Sequence, residues 1–236
     1  MKLVIVRHAD PDYSIDSLTP TGWKEAELLS NRLVRMHADA YYVSPLGRAN
    51  DTASLTLKKL GRTAETCEWL REFSPRIVKP GMDRSTSIWD WLPEIWTKEP
   101  RYYDPEEWYH TNAMRSVNAE LEYKWVTKEF DRLLASHGYE REGLYYRAVR
   151  PNRDTIVLFC HFGVECVLLS HLMHVSPMPL WHGLCAAPSS VTTIYTEERR
   201  QGIASFRVSA FGDVSHLYAA GEEPVSYTHL RAHETL

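Results

Sequence analysis

The chain is 236 residues long, 44% hydrophobic and 25% charged, with a formal net charge of −4, which suits one large globular domain with a sizeable core. That balance excludes the basic footprint of a nucleic-acid binder, and no apolar run reaches the length of a membrane span. Cys67, Cys160, Cys166 and Cys185 are scattered without a Cys-x-x-Cys pair; reduced thiols and the lack of a signal-peptide core make a cytoplasmic protein the expectation.

Leu3-Val4-Ile5-Val6 predicts a short buried strand, with Arg7 and His8 at its carboxyl end. Ligands of open α/β sheets bind at such ends, and a buried guanidinium needs a partner there. Thr19-Pro20 predicts a helix start, a cap followed by proline at the first helical position. Trp23, Ala26, Leu29, Leu33 and Met36 then form one apolar face. A second strand over residues 40–43 runs into Ser44-Pro45, which repeats the cap-plus-proline signal. Ala49, Ala53, Leu57 and Leu60 line the next helix and Gly61 is placed to end it. Arg48 falls in the first turn, where free amides favour an anion.

Residues 63–70 predict another strand and its exit. From residue 75 the composition shifts to prolines and tryptophans, with Trp89, Trp91, Trp96 and Trp108. A helix over 117–136 carries Leu121, Trp125, Phe130, Leu133 and Leu134 as its apolar positions. Residues 75–150 are therefore expected to form an inserted, mainly helical cap over the strand ends. A third buried strand, 155–160, ends at His161-Phe162-Gly163 and leads into a helix over 162–173. Segments 191–195 and 203–208 predict a late hairpin, with Glu197-Glu198-Arg199-Arg200 as its solvated turn. Residues 222–236 lack core periodicity and are expected to be a disordered or non-native tail, so His229 and His233 are left out of the functional argument. The domain then spans residues 1–221.

If the three apolar strands are parallel neighbours, Arg7, His8, Arg48 and His161 converge on one cleft, a set suited to a phosphoryl group. These residues also carry a resemblance. Arg7-His8, Leu18-Thr19-Pro20-Thr21-Gly22, Ser44-Pro45-Leu46-Gly47-Arg48-Ala49 with Thr52-Ala53, and His161-Phe162-Gly163 resemble the motifs of the histidine phosphatase superfamily, in its phosphoglycerate mutase-like branch. They occur in the family's order and cover residues 1–73 and about 155–210.

The resemblance implies an α/β fold, a three-layer α/β/α sandwich with a mostly parallel central sheet. It implies that His8 accepts the phosphoryl group, that Arg7 and Arg48 hold its non-bridging oxygens, and that His161 donates to the same oxygens. Trp69-Leu70-Arg71-Glu72-Phe73 is similar to the segment bearing the family's catalytic glutamate, which makes Glu72 the proton donor and later the base. The Gly and Trp-Glu-Gly that commonly follow are replaced here by Ser74-Pro75-Arg76-Ile77, so Asp83 and Glu94 are kept as fallback donors. Glu165, one turn into the late helix, is a candidate for raising the pKa of His161. Ala9 stands where many members have glycine, and Asp12 would repel a phosphate, which argues against mutase-type surroundings.

The expected function is a metal-independent phosphomonoester hydrolase acting through a phosphohistidine on a small phosphorylated substrate. No cofactor or metal is expected, because two arginines supply the positive charge. The alternatives are a phosphoglycerate mutase-type phosphotransferase and a catalytically silent phosphoryl- or protein-binding module. No nucleic-acid or membrane partner is expected. His171, His174 and His182 read as core-edge or solvated side chains rather than metal ligands. The tryptophans read as packing of a small lobe, and the cap that carries them could equally be the surface of a homodimer.

Overall fold

The computed structural model describes residues 1–225; His229 and His233, with most of the expected tail, lie outside them. In chain order the elements are β1 (Lys2–Arg7), the two-residue strands β2 (Pro11–Asp12) and β3 (Ser17–Leu18), α1 (Pro20–Leu33), β4 (Ala40–Val43), α2 (Gly47–Leu60) and β5 (Glu65–Thr66). A second group comprises β6 (Arg76–Val78), β7 (Ser85–Ser87), α3 (Pro93–Trp96), α4 (Asn112–Arg115), α5 (Ala119–Ser136), β8 (Tyr139–Glu142) and β9 (Tyr145–Ala148). The chain ends with β10 (Thr155–Cys160), α6 (Phe162–Met173), α7 (Pro177–Gly183), β11 (Val191–Arg200), β12 (Ile203–Asp213) and α8 (Ser215–Tyr218).

One eight-stranded sheet, in the order β5-β4-β10-β1-β11-β12-β9-β8, organises the molecule. Its half from β5 to β1 is parallel, and the strands beyond β1 run antiparallel. Near-continuous apolar runs in β1 and β10 are what a strand covered on both faces requires. Alternation sorts their side chains into two cores. Val4, Val6, Tyr41, Val43, Val157 and Phe159 face Leu29 and Leu33 of α1 and Ala49 and Ala53 of α2. Leu3, Ile5, Tyr42, Ile156, Leu158 and Cys160 face the other way, toward α5, α6 and α7. The result is the expected three-layer arrangement, helices on both faces of a mixed sheet.

Several local expectations are corrected. Trp23 does not join the buried face of α1 and is 39% exposed, and Leu121 on α5 is 73% exposed. The segment 63–70 contributes only the two residues of β5, followed by a 3-10 turn over Glu68–Leu70. The charged run 197–200 is strand, and the hairpin turns at Gln201-Gly202 instead, where Gly202 takes a φ of +80°. Within the segment 75–150, β8 and β9 extend the main sheet, with Tyr146 of β9 buried beside Phe206 of β12. The β6–β7 hairpin and α3 to α5 make up the rest of that segment.

Candidate active site

Strand register brings the motif residues together. Arg7 lies opposite Cys160 and Val43 opposite Phe159, so β1, β10 and β4 end level with one another. The residues that follow, His8, His161 and Ser44, therefore emerge at one sheet end. His8 and His161 are both buried, with ring centroids 5.0 Å apart. The Nδ1 of His8 lies 2.8 Å from the carbonyl oxygen of Ala9. A carbonyl can only accept, so Nδ1 carries the proton and Nε2 keeps its lone pair. Burial, then the Arg7 guanidinium, push the His8 pKa down to about 3, and the ring is neutral at physiological pH.

His161 is oriented by Ser44, whose Oγ lies 2.7 Å from Nε2 and also accepts the Leu46 amide. Its Nδ1 is buried without a protein partner. Ser44 is thus not the cap that the sequence suggested: α2 begins two residues later, at Gly47, with Leu46 at the cap position. Burial, followed by the fields of His8, Arg48 and Arg7, holds the His161 pKa well below the ordinary histidine value. Glu165 does not offset this. Its own carboxyl is pushed up to about 7 by burial, with Thr192 and the Arg7 charge opposing the rise.

Both arginines are anchored at one end and open at the other. Arg7 donates through Nη1 to the carbonyl of Ala186, and its guanidinium lies 5.8 Å from the Phe162 ring. Arg48 donates through Nη1 to Asp16 at 2.6 Å, and Tyr13 covers it at 5.4 Å. Each has a buried Nε without a partner. Asp16 also accepts the Gly47 amide at the start of α2, so one carboxylate fixes both the helix end and the arginine in its first turn.

Glu72 arrives from the loop after the 3-10 turn and lies over the start of α6. Its Oε1 accepts the amides of Phe73 at 2.8 Å and Val164 at 3.1 Å. Burial raises its pKa, and the Arg7 charge and these amides oppose the rise. The fallback donors differ: Asp83 and Glu94 are both exposed. Asp12 is occupied with Ser14, whose amide and hydroxyl it accepts. His171 pairs with Asp131 at 2.9 Å and His182 accepts the Trp91 amide. Among the described residues no three His, Cys, Asp or Glu side chains are grouped as a metal site.

A profile of the histidine phosphatase superfamily (branch 1) matches residues 3–209. The chain belongs to this superfamily. A protein of Hydrogenobacter thermophilus, named as a phosphoserine phosphatase, is 37% identical over 82 residues, a match covering 31% of this chain and 40% of the relative. The phosphoserine phosphatase of Entamoeba histolytica, solved as a mutant with phosphoserine, superposes with a TM-score of 0.59 at 17% identity, over 92% of this chain and 98% of that one. A mycobacterial glucosyl-3-phosphoglycerate phosphatase gives 0.55 at 21% identity, over 89% and 98%. These likenesses establish the shared fold. No helix among the described residues is long and apolar enough to cross a membrane.

Sequence reasoning passed over Ser44 as a histidine partner and Asp16 as the arginine anchor. For Ser44 the signal was misread as a cap. For Asp16 no local pattern existed, because its partner lies 32 positions away.

Proposed function

We propose that this histidine phosphatase hydrolyses a small phosphate monoester through a phosphohistidine at His8. The observation that carries the reading is the hydrogen bond from His8 Nδ1 to Ala9, which leaves Nε2 unprotonated beside His161 and in the field of two guanidiniums. Nε2 attacks phosphorus while the ester P–O bond breaks. Arg7, Arg48 and His161 Nδ1–H hold the non-bridging oxygens as charge develops. The Ser44 hydroxyl, already accepting from Leu46, donates to Nε2 of His161 and so keeps that proton on Nδ1. A bound phosphoryl dianion favours the charged form of His161 and offsets the burial that keeps it neutral in the free site.

Glu72, whose pKa is raised by burial, gives its proton to the leaving oxygen. Water then attacks phosphorus, Glu72 takes the water's proton, the P–N bond breaks and inorganic phosphate departs. Segment 76–138 serves as the cap that shapes the leaving-group side. Phosphoserine and phosphoglycerate esters, on the names of the relatives, are the first natural substrates to try.

The test is hydrolysis of p-nitrophenyl phosphate in the presence of EDTA by the intact protein and by His8→Ala. Turnover that survives the chelator and falls about a thousandfold or more in the variant is the expected result. Equal activity in both proteins would remove His8 as nucleophile. Turnover seen only with a bisphosphate primer would reassign the enzyme as a phosphotransferase, and phosphate binding without turnover would leave a binding module.

A further inference from the structure

Trp89 follows β7 in the inserted segment, and its indole Nε1–H donates to the carbonyl of Phe73 at 3.0 Å. Phe73 is the residue whose amide holds Glu72 Oε1. From the other side, Gly163 in the first turn of α6 leaves room for both groups. A Cβ there would lie 2.5 Å from Glu72 Oε1 and 2.7 Å from Trp89 Nε1. The Trp89 ring also meets Phe162 edge-on at 6.1 Å, and Phe162 carries the Arg7 guanidinium on its face. Trp89, Glu72 and the start of α6 thus form one packed unit.

Trp89 is itself fixed by a buried amine. Lys79, 4% exposed, donates from Nζ to the carbonyls of Trp89 and Asp90, each at 2.6 Å. Asp90 has a φ of +68°, a left-handed conformation uncommon outside glycine, and the ammonium clamp holds the chain in it. The Asp90 charge favours the buried ammonium, which also faces the Trp91 ring at 5.7 Å. The contribution of Lys79 is to the geometry of the turn that delivers Trp89.

We propose that Trp89 is the positioning residue for Glu72, clamped by Lys79, so that the inserted segment controls proton donation to the leaving group. This rests on the reading of Glu72 as the general acid. A misplaced acid harms a poor leaving group far more than a good one, because an acidic phenol departs without a proton.

The experiment is kcat/KM across substituted phenyl phosphates, from p-nitro to p-methoxy, for the intact enzyme, Glu72→Gln, Trp89→Phe and Gly163→Ala. Phenylalanine keeps a ring but lacks the N–H. Alanine at 163 favours the helix while pushing into Glu72 directly, so it shows what a displaced Glu72 does with Trp89 still present. The expected result is a shallow dependence on leaving-group acidity in the intact enzyme and a steep one in all three variants, with about tenfold greater loss for p-methoxyphenyl than for p-nitrophenyl phosphate. A steep dependence in Glu72→Gln with an unchanged slope in Trp89→Phe, whatever Gly163→Ala shows, overturns the positioning role and leaves the acid assignment standing. An unchanged slope in Glu72→Gln overturns the acid assignment and this inference with it.

Discussion

Burial and two neighbouring guanidiniums keep His8 neutral, and burial of the same kind pushes carboxyl pKa values up elsewhere in the fold. Glu25 and Glu165 are both pushed up to about 7, chiefly by burial, and each has one buried oxygen without a partner. Their raised values stabilise the fold at low pH, fully below the unfolded carboxyl value near 4.5, and that stability is lost as pH rises through 7. His8 works in the opposite sense: with its value depressed to about 3, it costs stability as pH falls below 6.5. The two windows overlap between pH 4.5 and 6.5, and comparison with a variant at one carboxyl cancels the His8 effect. Glu165→Gln keeps the shape of the side chain without the charge. It should match the intact protein at pH 5 and exceed it at pH 9 by on the order of 2–3 kcal/mol, read from urea unfolding at both values. Parallel pH profiles for the two proteins would show that Glu165 does not titrate in this range.

At the scale of elements, α2 depends on a close approach that its own residues do not explain. A Cβ on Gly47 would lie 2.1 Å from the main-chain oxygen of Asp16, and neither backbone can move alone, because Asp16 holds both the Gly47 amide and Arg48. Asp16 has a φ of +49°, so the loop between β2 and β3 is already bent toward the helix. Gly47→Ala should cost about 1–3 kcal/mol and release Arg48 from its anchor. The check is a lower melting temperature together with weaker competitive inhibition by inorganic phosphate. An unaltered melting temperature would mean that the loop yields freely.

Across the whole molecule the thiols report the integrity of the sandwich. Cys67, Cys160 and Cys166 are buried and Cys185 is exposed. Burial raises the thiol pKa at all three buried positions, which suppresses the reactive thiolate. Titration with a coloured disulfide reagent under native conditions should consume one thiol quickly, and the other three only with global unfolding. Fast reaction of Cys160 or Cys166 would mean that the face of the sheet under α6 opens independently of the rest.

The sequence by itself determined the parts of this protein that local physics governs. Apolar runs at β1, β4 and β10 ended where Arg7-His8, Ser44 and His161 began. Thr19-Pro20 capped α1 as read, with the Thr19 hydroxyl accepting the Gly22 amide. The order of the motifs was legible, and with it the family. Only the tertiary structure decided which partner each polar group takes. Ser44 reads as a cap in any window of ten residues, yet its hydroxyl faces a histidine 117 positions later. Glu72 was legible only through the resemblance, and its partners, the Val164 amide and a glycine without a side chain to block it, come from α6. The strands β8 and β9 were missed because their buried residues Tyr139 and Tyr146 pack on Phe206 of β12 and are not marked by an apolar pattern of their own. Periodicity records which side of an element is covered, whereas hydrogen-bond partners and charge fields depend on elements brought together from far along the chain.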